Sequence, residues 1–149
     1  MKKIETLLKK HKIKENIIKI AVPAMEEYMG SIIEWNKKVN LTTITSREDF
    51  IEKHLVDSLI CADSKEIRNS KTIIDVGTGA GFPGIPLALV FPEKSFLLLD
   101  SQNKKIGIIK EAAEKAGIRN VIFIHGRAED LAREKDCREK FDLCLSRAV

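Results

Sequence analysis

The sequence predicts an α/β fold: a parallel sheet in the second half of the chain, preceded by a helical region. Three observations carry this reading. Apolar residues recur at helical spacing through the first 65 residues. From about residue 70, four short apolar runs alternate with helical stretches. The first of those runs leads directly into a loop with four glycines in eight residues, Gly77 to Gly84. The expected organisation is a helical region over residues 1–65 and a sheet-bearing region over residues 66–149.

The elements follow in order. Ile4, Leu7 and Leu8, then Ile13, Ile17 and Ile18, recur at helical spacing. Pro23 is expected to start or kink the next helix, because its ring removes a donor and crowds the preceding turn. Met25, Met29, Ile32, Ile33 and Trp35 supply that helix's apolar positions, and the stretch Asn36–Asn40 interrupts the pattern. Ser46 followed by Glu48 and Asp49 is an N-cap with acids near the positive end of the helix dipole. The helix it opens would turn Phe50, Ile51, Leu55 and Leu59 inward.

Thr72–Val76 is β-branched and reads as the first strand, with a helix over Gly84–Phe91 after the glycine loop. Ser95–Asp100 is a second strand, followed by a helix over Lys104–Ala116 closed by Gly117. Val121–His125 is a third strand, Ala128–Arg133 a short helix and Phe141–Leu145 a fourth strand. Apolar strands alternating with helices make a parallel sheet covered on both faces. Such a sheet binds ligands beyond the carboxyl ends of its strands, where the strand order reverses.

Composition narrows the function classes. The chain is 44% apolar and 32% charged, which fits a globular protein and not a disordered one. No apolar run reaches the roughly 18 residues of a membrane span. The lysine-rich start lacks a signal peptide's apolar core, so a cytoplasmic location and no membrane partner are expected. Lys2, Lys3, Lys9, Lys10, Lys12, Lys14 and Lys19 face only Glu5 and Glu15 within the first 20 residues. That basic segment suits a polyanion such as RNA, or is simply a solvated helix face. Cys61, Cys137 and Cys144 show no paired spacing, and His11, His54 and His125 are far apart in the chain, so no metal site is expected.

The glycines point to a ligand lying against the main chain, since glycine allows positive φ and leaves no Cβ in the way. Gly79, Gly81 and Gly84 satisfy the bare dinucleotide pattern, and Asp100, 21 residues after Gly79, stands where a ribose-binding acid would stand. A nicotinamide-dependent oxidoreductase therefore stays open. Two details favour S-adenosylmethionine. Counted from Gly77, nearest the strand, the pattern fails at Phe82. Asp75 at the strand end would repel a pyrophosphate, whereas a carboxylate is favourable to a sulfonium and an ammonium. Asp100 can serve the ribose of either cofactor.

Four stretches then carry a resemblance: IIDVGTGAGFPGIPLA (Ile73–Ala88), LLLDSQNKKI, HGRAEDL and FDLCLSRAV, in that order. Together with WNKKVNLTTI (Trp35–Ile44) and KHLVDSL (Lys53–Leu59), they resemble the bacterial 16S ribosomal RNA guanine-N7 methyltransferases, also called glucose-inhibited division protein B. The resemblance implies a Rossmann-like class I S-adenosylmethionine-dependent methyltransferase fold, of which the chain shows the first four strands. It implies S-adenosylmethionine as cofactor and 16S ribosomal RNA, in the small ribosomal subunit, as substrate. The family's cofactor contacts carry over to Gly77, Gly79 and Phe82 in the glycine loop, to Asp100, to Ala128 and Glu129 in GRAED, and to Arg147 in SRAV.

Phe82 can be core or an exposed ring against the cofactor. Glu129 can be a cofactor contact or an ordinary acid at a helix start. Arg147 follows the fourth strand, at the end where a parallel sheet keeps its site, and is expected to orient cofactor, base or phosphate. His54 and Asp57, in the helical region, are expected to brace the catalytic domain by hydrogen bonds rather than to act as a catalytic base. Guanine N7 carries a lone pair and no proton, so methylation calls for alignment and no general base. The family continues beyond SRAV, so the chain reads as truncated at its C-terminus. The expectation is then weakened cofactor binding and little methylation, or a non-catalytic S-adenosylmethionine-binding fragment.

Overall fold

The computed structural model describes residues 2–43, 46–133 and 141–146. Helix α1 (Lys2–Lys10) and helix α2 (Glu15–Asn36) come first. Pro23 neither starts nor ends a helix; it lies inside the 22-residue α2. The helix does not start at Pro23, because Ile18, Ala21, Val22, Met25, Met29 and Ile32 form one buried stripe on both sides of it. Pro23 and Lys19, whose carbonyl loses its helical donor, both sit on the exposed side, where water can satisfy that carbonyl. The Asn36 side chain then takes over at the helix end, accepting from Leu41 N at 2.9 Å and Thr42 N at 3.0 Å.

Ser46 caps the next helix as expected, its hydroxyl accepting from Asp49 N at 3.2 Å. That helix is not uniform. It passes from α3 (Arg47–Asp49) through a π-helical stretch (Phe50–Leu55) to α4 (Val56–Ala62). The expected inward residues Phe50, Ile51, Leu55 and Leu59 are all buried. Helix α5 (Lys65–Arg68) leads into the sheet.

The sheet contains β1 (Thr72–Val76), β2 (Ser95–Asp100), β3 (Val121–His125) and β4 (Leu143–Ser146), all parallel, in the order β3-β2-β1-β4. Helix α6 (Gly84–Val90) joins β1 to β2, α7 (Asn103–Lys115) joins β2 to β3, and α8 (Ala128–Arg133) follows β3. The fourth strand starts later than expected because Asp142 has another task. Its carboxylate accepts from Lys71 N at 2.8 Å and Thr72 N at 3.2 Å, closing the start of β1. Those bonds hold its pKa below the ordinary carboxylate range, backbone donation from Lys71 being the larger cause.

The two faces of the sheet differ. Ile73, Phe96 and Leu98 belong to one large core with α2, α6 and α7, so the helical region and the sheet share a single apolar cluster. The opposite face holds the smaller cluster Ile74, Leu97 and Leu99, with Val76, Ile124 and Phe141 against it. The chain reverses direction across the sheet after β3, and right-handed crossover then assigns α8 to this second face. The reversal falls between β1 and β4, so the crevice beyond their carboxyl ends is where the sheet offers a site.

Candidate functional site

The loop from Gly77 to Pro83 starts where β1 ends; its three glycines and Gly84, the first residue of α6, do two different jobs. Gly77, Gly79 and Gly81 all have positive φ (69°, 60° and 95°). A Cβ on Gly77 or Gly79 would meet nothing within 4 Å, so these two present bare backbone to open space. A Cβ on Gly81 would run into the Tyr28 hydroxyl and lie 2.9 Å from Ile85 Cγ1. A Cβ on Gly84 would lie 2.7 Å from Leu98 Cδ1 and 2.9 Å from Asp75 Oδ2. The first pair leaves room for a ligand. The second pair lets α2, α6 and β2 close on the loop from beneath.

Hydrogen bonds hold the loop in place. Gly77 N and Thr78 N donate to Leu99 O at 2.8 and 3.0 Å, and Gly79 N donates to Asp100 Oδ2 at 2.9 Å. The amides of Gly77, Thr78 and Gly79 are therefore spent on β2. A phosphate cradle needs such donors aimed at the anion. Here they point into the protein, and the backbone at Gly81, the second glycine of the dinucleotide pattern, is covered by Tyr28. Both findings weigh against a pyrophosphate.

Asp75 requires a correction. Its carboxylate was expected to face the ligand, but the residue is 0% exposed. Oδ2 accepts from Thr78 Oγ1 at 2.8 Å and from Gly84 N, the first amide of α6, at 3.0 Å. A buried carboxylate needs such donors, and the start of a helix supplies one. Asp75 shapes the loop. Alternation along β1 turns it with Ile73 toward the helix-covered face.

Of the two readings of Phe82, core or exposed ring, the structure has the first: it is 1% exposed. Its ring stacks on His54 at 4.8 Å with 12° between planes, and lies 5.9 Å from Phe50 and 6.1 Å from Tyr28. The π-helical stretch brings Phe50 and His54 against the same ring. His54 Nε2 also lies 3.2 Å from Thr42 Oγ1. Tyr28 donates to Ala80 O at 2.6 Å. Burial, with Asp75's charge second, pushes its pKa well above the ordinary phenol range, so it stays a neutral donor.

Asp100 ends β2, 8% exposed, its Oδ1 accepting from Gln102 N at 2.9 Å. Gly126 N donates to Asp100 O at 2.9 Å, so the start of GRAED is tied to the end of β2. Ala128 and Glu129 open α8 two residues later, both exposed. The structure thus groups Gly77, Gly79, Asp100, Ala128 and Glu129 at the carboxyl ends of β1, β2 and β3. Arg147 lies outside the described residues.

A cavity of about 290 Å³ opens on the loop, lined by Leu41, Thr42, His54, Gly77, Thr78, Gly79, Ala80 and Phe82. Sequence reasoning missed Tyr28, Thr42 and Thr78 here. Tyr28 carries the one available signal, a phenol within an otherwise aliphatic stripe at Met25, Met29 and Ile32. A buried tyrosine hydroxyl needs an acceptor.

The GidB family model, described as rRNA small subunit methyltransferase G, matches residues 21–149.

The chain belongs to this family.

It is 52% identical over 122 residues to the ribosomal RNA small subunit methyltransferase G of Clostridium botulinum (strain Alaska E43 / Type E3), covering 82% of this chain and 51% of that protein. It is 47% identical over 128 residues to the protein of the same name from Thermoanaerobacter pseudethanolicus, covering 86% and 53%. The chain thus spans about half the length of the curated relatives it matches. Among solved structures, a protein-L-isoaspartate O-methyltransferase aligns with 97% of this chain and 47% of its own, with a TM-score of 0.62 at 15% identity. That likeness establishes the fold, an α/β sheet of the Rossmann-like methyltransferase kind, as the sequence predicted.

Proposed function

We propose that this chain binds S-adenosylmethionine on its glycine loop and serves methyl transfer to N7 of a guanine in 16S ribosomal RNA, in the cytoplasm. The observation that carries the cofactor is the loop itself. Gly77 and Gly79 leave open backbone, and their amides are already bonded to β2. That surface fits a cofactor without phosphate. When bound, S-adenosylmethionine supplies an activated methyl group on a sulfonium.

The chain's residues have distinct tasks in this reading. Gly77 and Gly79 give close approach. Phe82 supports the loop from beneath through His54 and Tyr28. Asp100 keeps lone pairs for ribose hydroxyls, because among the described residues each oxygen takes one backbone donor. Ala128 and Glu129 border the adenine side, and Arg147 orients the reactants. Exposed lysines of α1 and the following turn meet RNA phosphate, giving affinity without sequence information. Lys3 and Lys9 are partly committed, pairing with Glu52 and Glu5 at 4.0 and 2.9 Å.

A second reading is cofactor binding without catalysis. Calorimetry with S-adenosylmethionine on this chain and on a C-terminally extended chain, beside a methylation assay on ribosomal RNA, separates the two. Binding by both chains with methylation only by the longer one supports the second. Tight NADH binding in place of S-adenosylmethionine would overturn the cofactor assignment. Arg147→Ala is expected to lower methylation and leave folding intact; unchanged turnover removes Arg147 from the mechanism.

A further inference from the structure

Another cavity, of about 330 Å³, lies away from the glycine loop. Arg68 and Phe91 on its wall come just before β1 and β2, so it sits at the amino ends of those strands. The glycine loop is at the carboxyl end of β1. Five residues at about 3.3 Å each put about 17 Å of strand between the two places. The buried and half-buried part of the cavity wall is apolar: Ile13, Ile17, Ala62, Val90 and Phe91. Its exposed rim carries Lys12, Lys14 and Arg68, with Glu93 as the acid among them.

These cations differ in what they already hold. Asp63 lies 2.9 Å from His11 Nδ1 and 3.7 Å from Arg68 Nη2. Arg68 Nε also donates to Ala62 O at 3.5 Å. His11 and Arg68 are thus partly spent. Lys12 and Lys14 make no ion pair among the described residues. Lys12 also stands where the backbone favours another residue. Its φ is 60°. Lys12 N donates to Lys9 O at 3.0 Å and Ile13 N to Leu8 O at 3.1 Å, a Schellman ending of α1 with Lys12 at the position usually held by glycine. Glycine would fit that turn with less strain, whereas the lysine adds a cation to the rim.

Unpaired cations suit phosphate, and an apolar wall with an aromatic ring suits a base. A duplex keeps its bases stacked, so the base must come from a single strand. The volume falls within the range of about 300–1,000 Å³ usual for ligand pockets. We infer that this cavity binds one nucleotide of single-stranded RNA, with the phosphate at Lys12 and Lys14 and the base against Phe91. It is a second hold on the RNA, at the end of the sheet opposite the methyl-transfer site. The inference rests on the RNA reading above and gives the turn after α1 a defined ligand.

The test uses two labelled probes, oligoadenylate and an abasic strand of equal length and charge. Fluorescence anisotropy over a salt series measures both with the full 149-residue chain and its variants. The parent is expected to prefer oligoadenylate at least about fivefold, the worth of one stacked base. Lys12→Gly should lower the slope of log K against log salt by about 0.7 for both probes, one phosphate contact on a single strand. Its thermal midpoint should not fall, since glycine suits the turn. Phe91→Leu should abolish the preference for oligoadenylate and leave the slope unchanged. A Phe91→Leu protein that fails to fold is replaced by Phe91→Met, read in the same way. If the parent binds neither probe, the RNA reading falls and the site with it. If the parent binds RNA but shows no preference for bases, or Lys12→Gly keeps the parental slope, or the Phe91 variant keeps the parental preference, the nucleotide site is overturned and the RNA reading stands.

Discussion

Gly81→Ala separates a glycine needed for packing from one needed for a ligand. The backbone there has φ +95°, a region costing a residue with a Cβ about 1–3 kcal/mol. The new methyl would run into the Tyr28 hydroxyl, with Tyr28 Cζ at 3.1 Å and Ile85 Cγ1 at 2.9 Å. Tyr28 cannot swing aside, because it is 0% exposed and packed edge-on against Phe82. Displacing it breaks the 2.6 Å bond to Ala80 O and leaves a buried donor and acceptor, about 1–3 kcal/mol more. The expected loss is about 3–5 kcal/mol, a large part of a typical domain's stability. Urea unfolding followed by circular dichroism reads it as a lower midpoint at unchanged slope. Adding Tyr28→Phe removes the hydroxyl from the clash, so the two changes should couple by about 1 kcal/mol or more. A Gly81→Ala loss under about 1 kcal/mol, or strict additivity with Tyr28→Phe, refutes the assignment of Gly81 to packing.

Gly77→Ala is expected to behave oppositely: about 1–2 kcal/mol of backbone strain with no clash, but cofactor binding weakened at least about tenfold in calorimetry. Binding at parental affinity argues against ligand approach there. Phe82→Ala removes a ring packed on His54, Phe50 and Tyr28, and should cost about 3–5 kcal/mol in thermal unfolding. Tyr28 has a raised folded pKa, so its contribution is complete below about pH 10 and lost as pH rises from there. Tyr28→Phe should accordingly flatten the alkaline limb of a stability–pH curve. Asp142 has a lowered folded pKa, so its contribution exists above the unfolded value of about 4 and disappears as pH falls through the folded one. Asp142→Asn should make the acid limb shallower, and an unchanged limb excludes Asp142 as its source.

Much of this was legible in the chain because it depends on local pattern. The strands Thr72–Val76, Ser95–Asp100 and Val121–His125 and the helix Ala128–Arg133 occur at the residues where the apolar runs put them. Ser46 caps its helix because a serine before acids does so with near neighbours only. The helix start expected at Pro23 is not found, because local preference yields to a buried stripe running on both sides of it.

The sequence by itself determined the α/β class, the parallel sheet and the place of the ligand loop, since apolar periodicity and glycine spacing are properties of neighbours in the chain. Only the tertiary structure decided what each loop residue does. Gly77 and Gly81 are the same residue type, yet one faces open space and the other a tyrosine hydroxyl from a helix 53 residues earlier in the chain. Asp75 and Phe82 turned inward because β1 alternation and the stack on His54 pointed them there. Which side of a backbone meets solvent is set by elements distant in sequence, and local spacing carries no record of their positions.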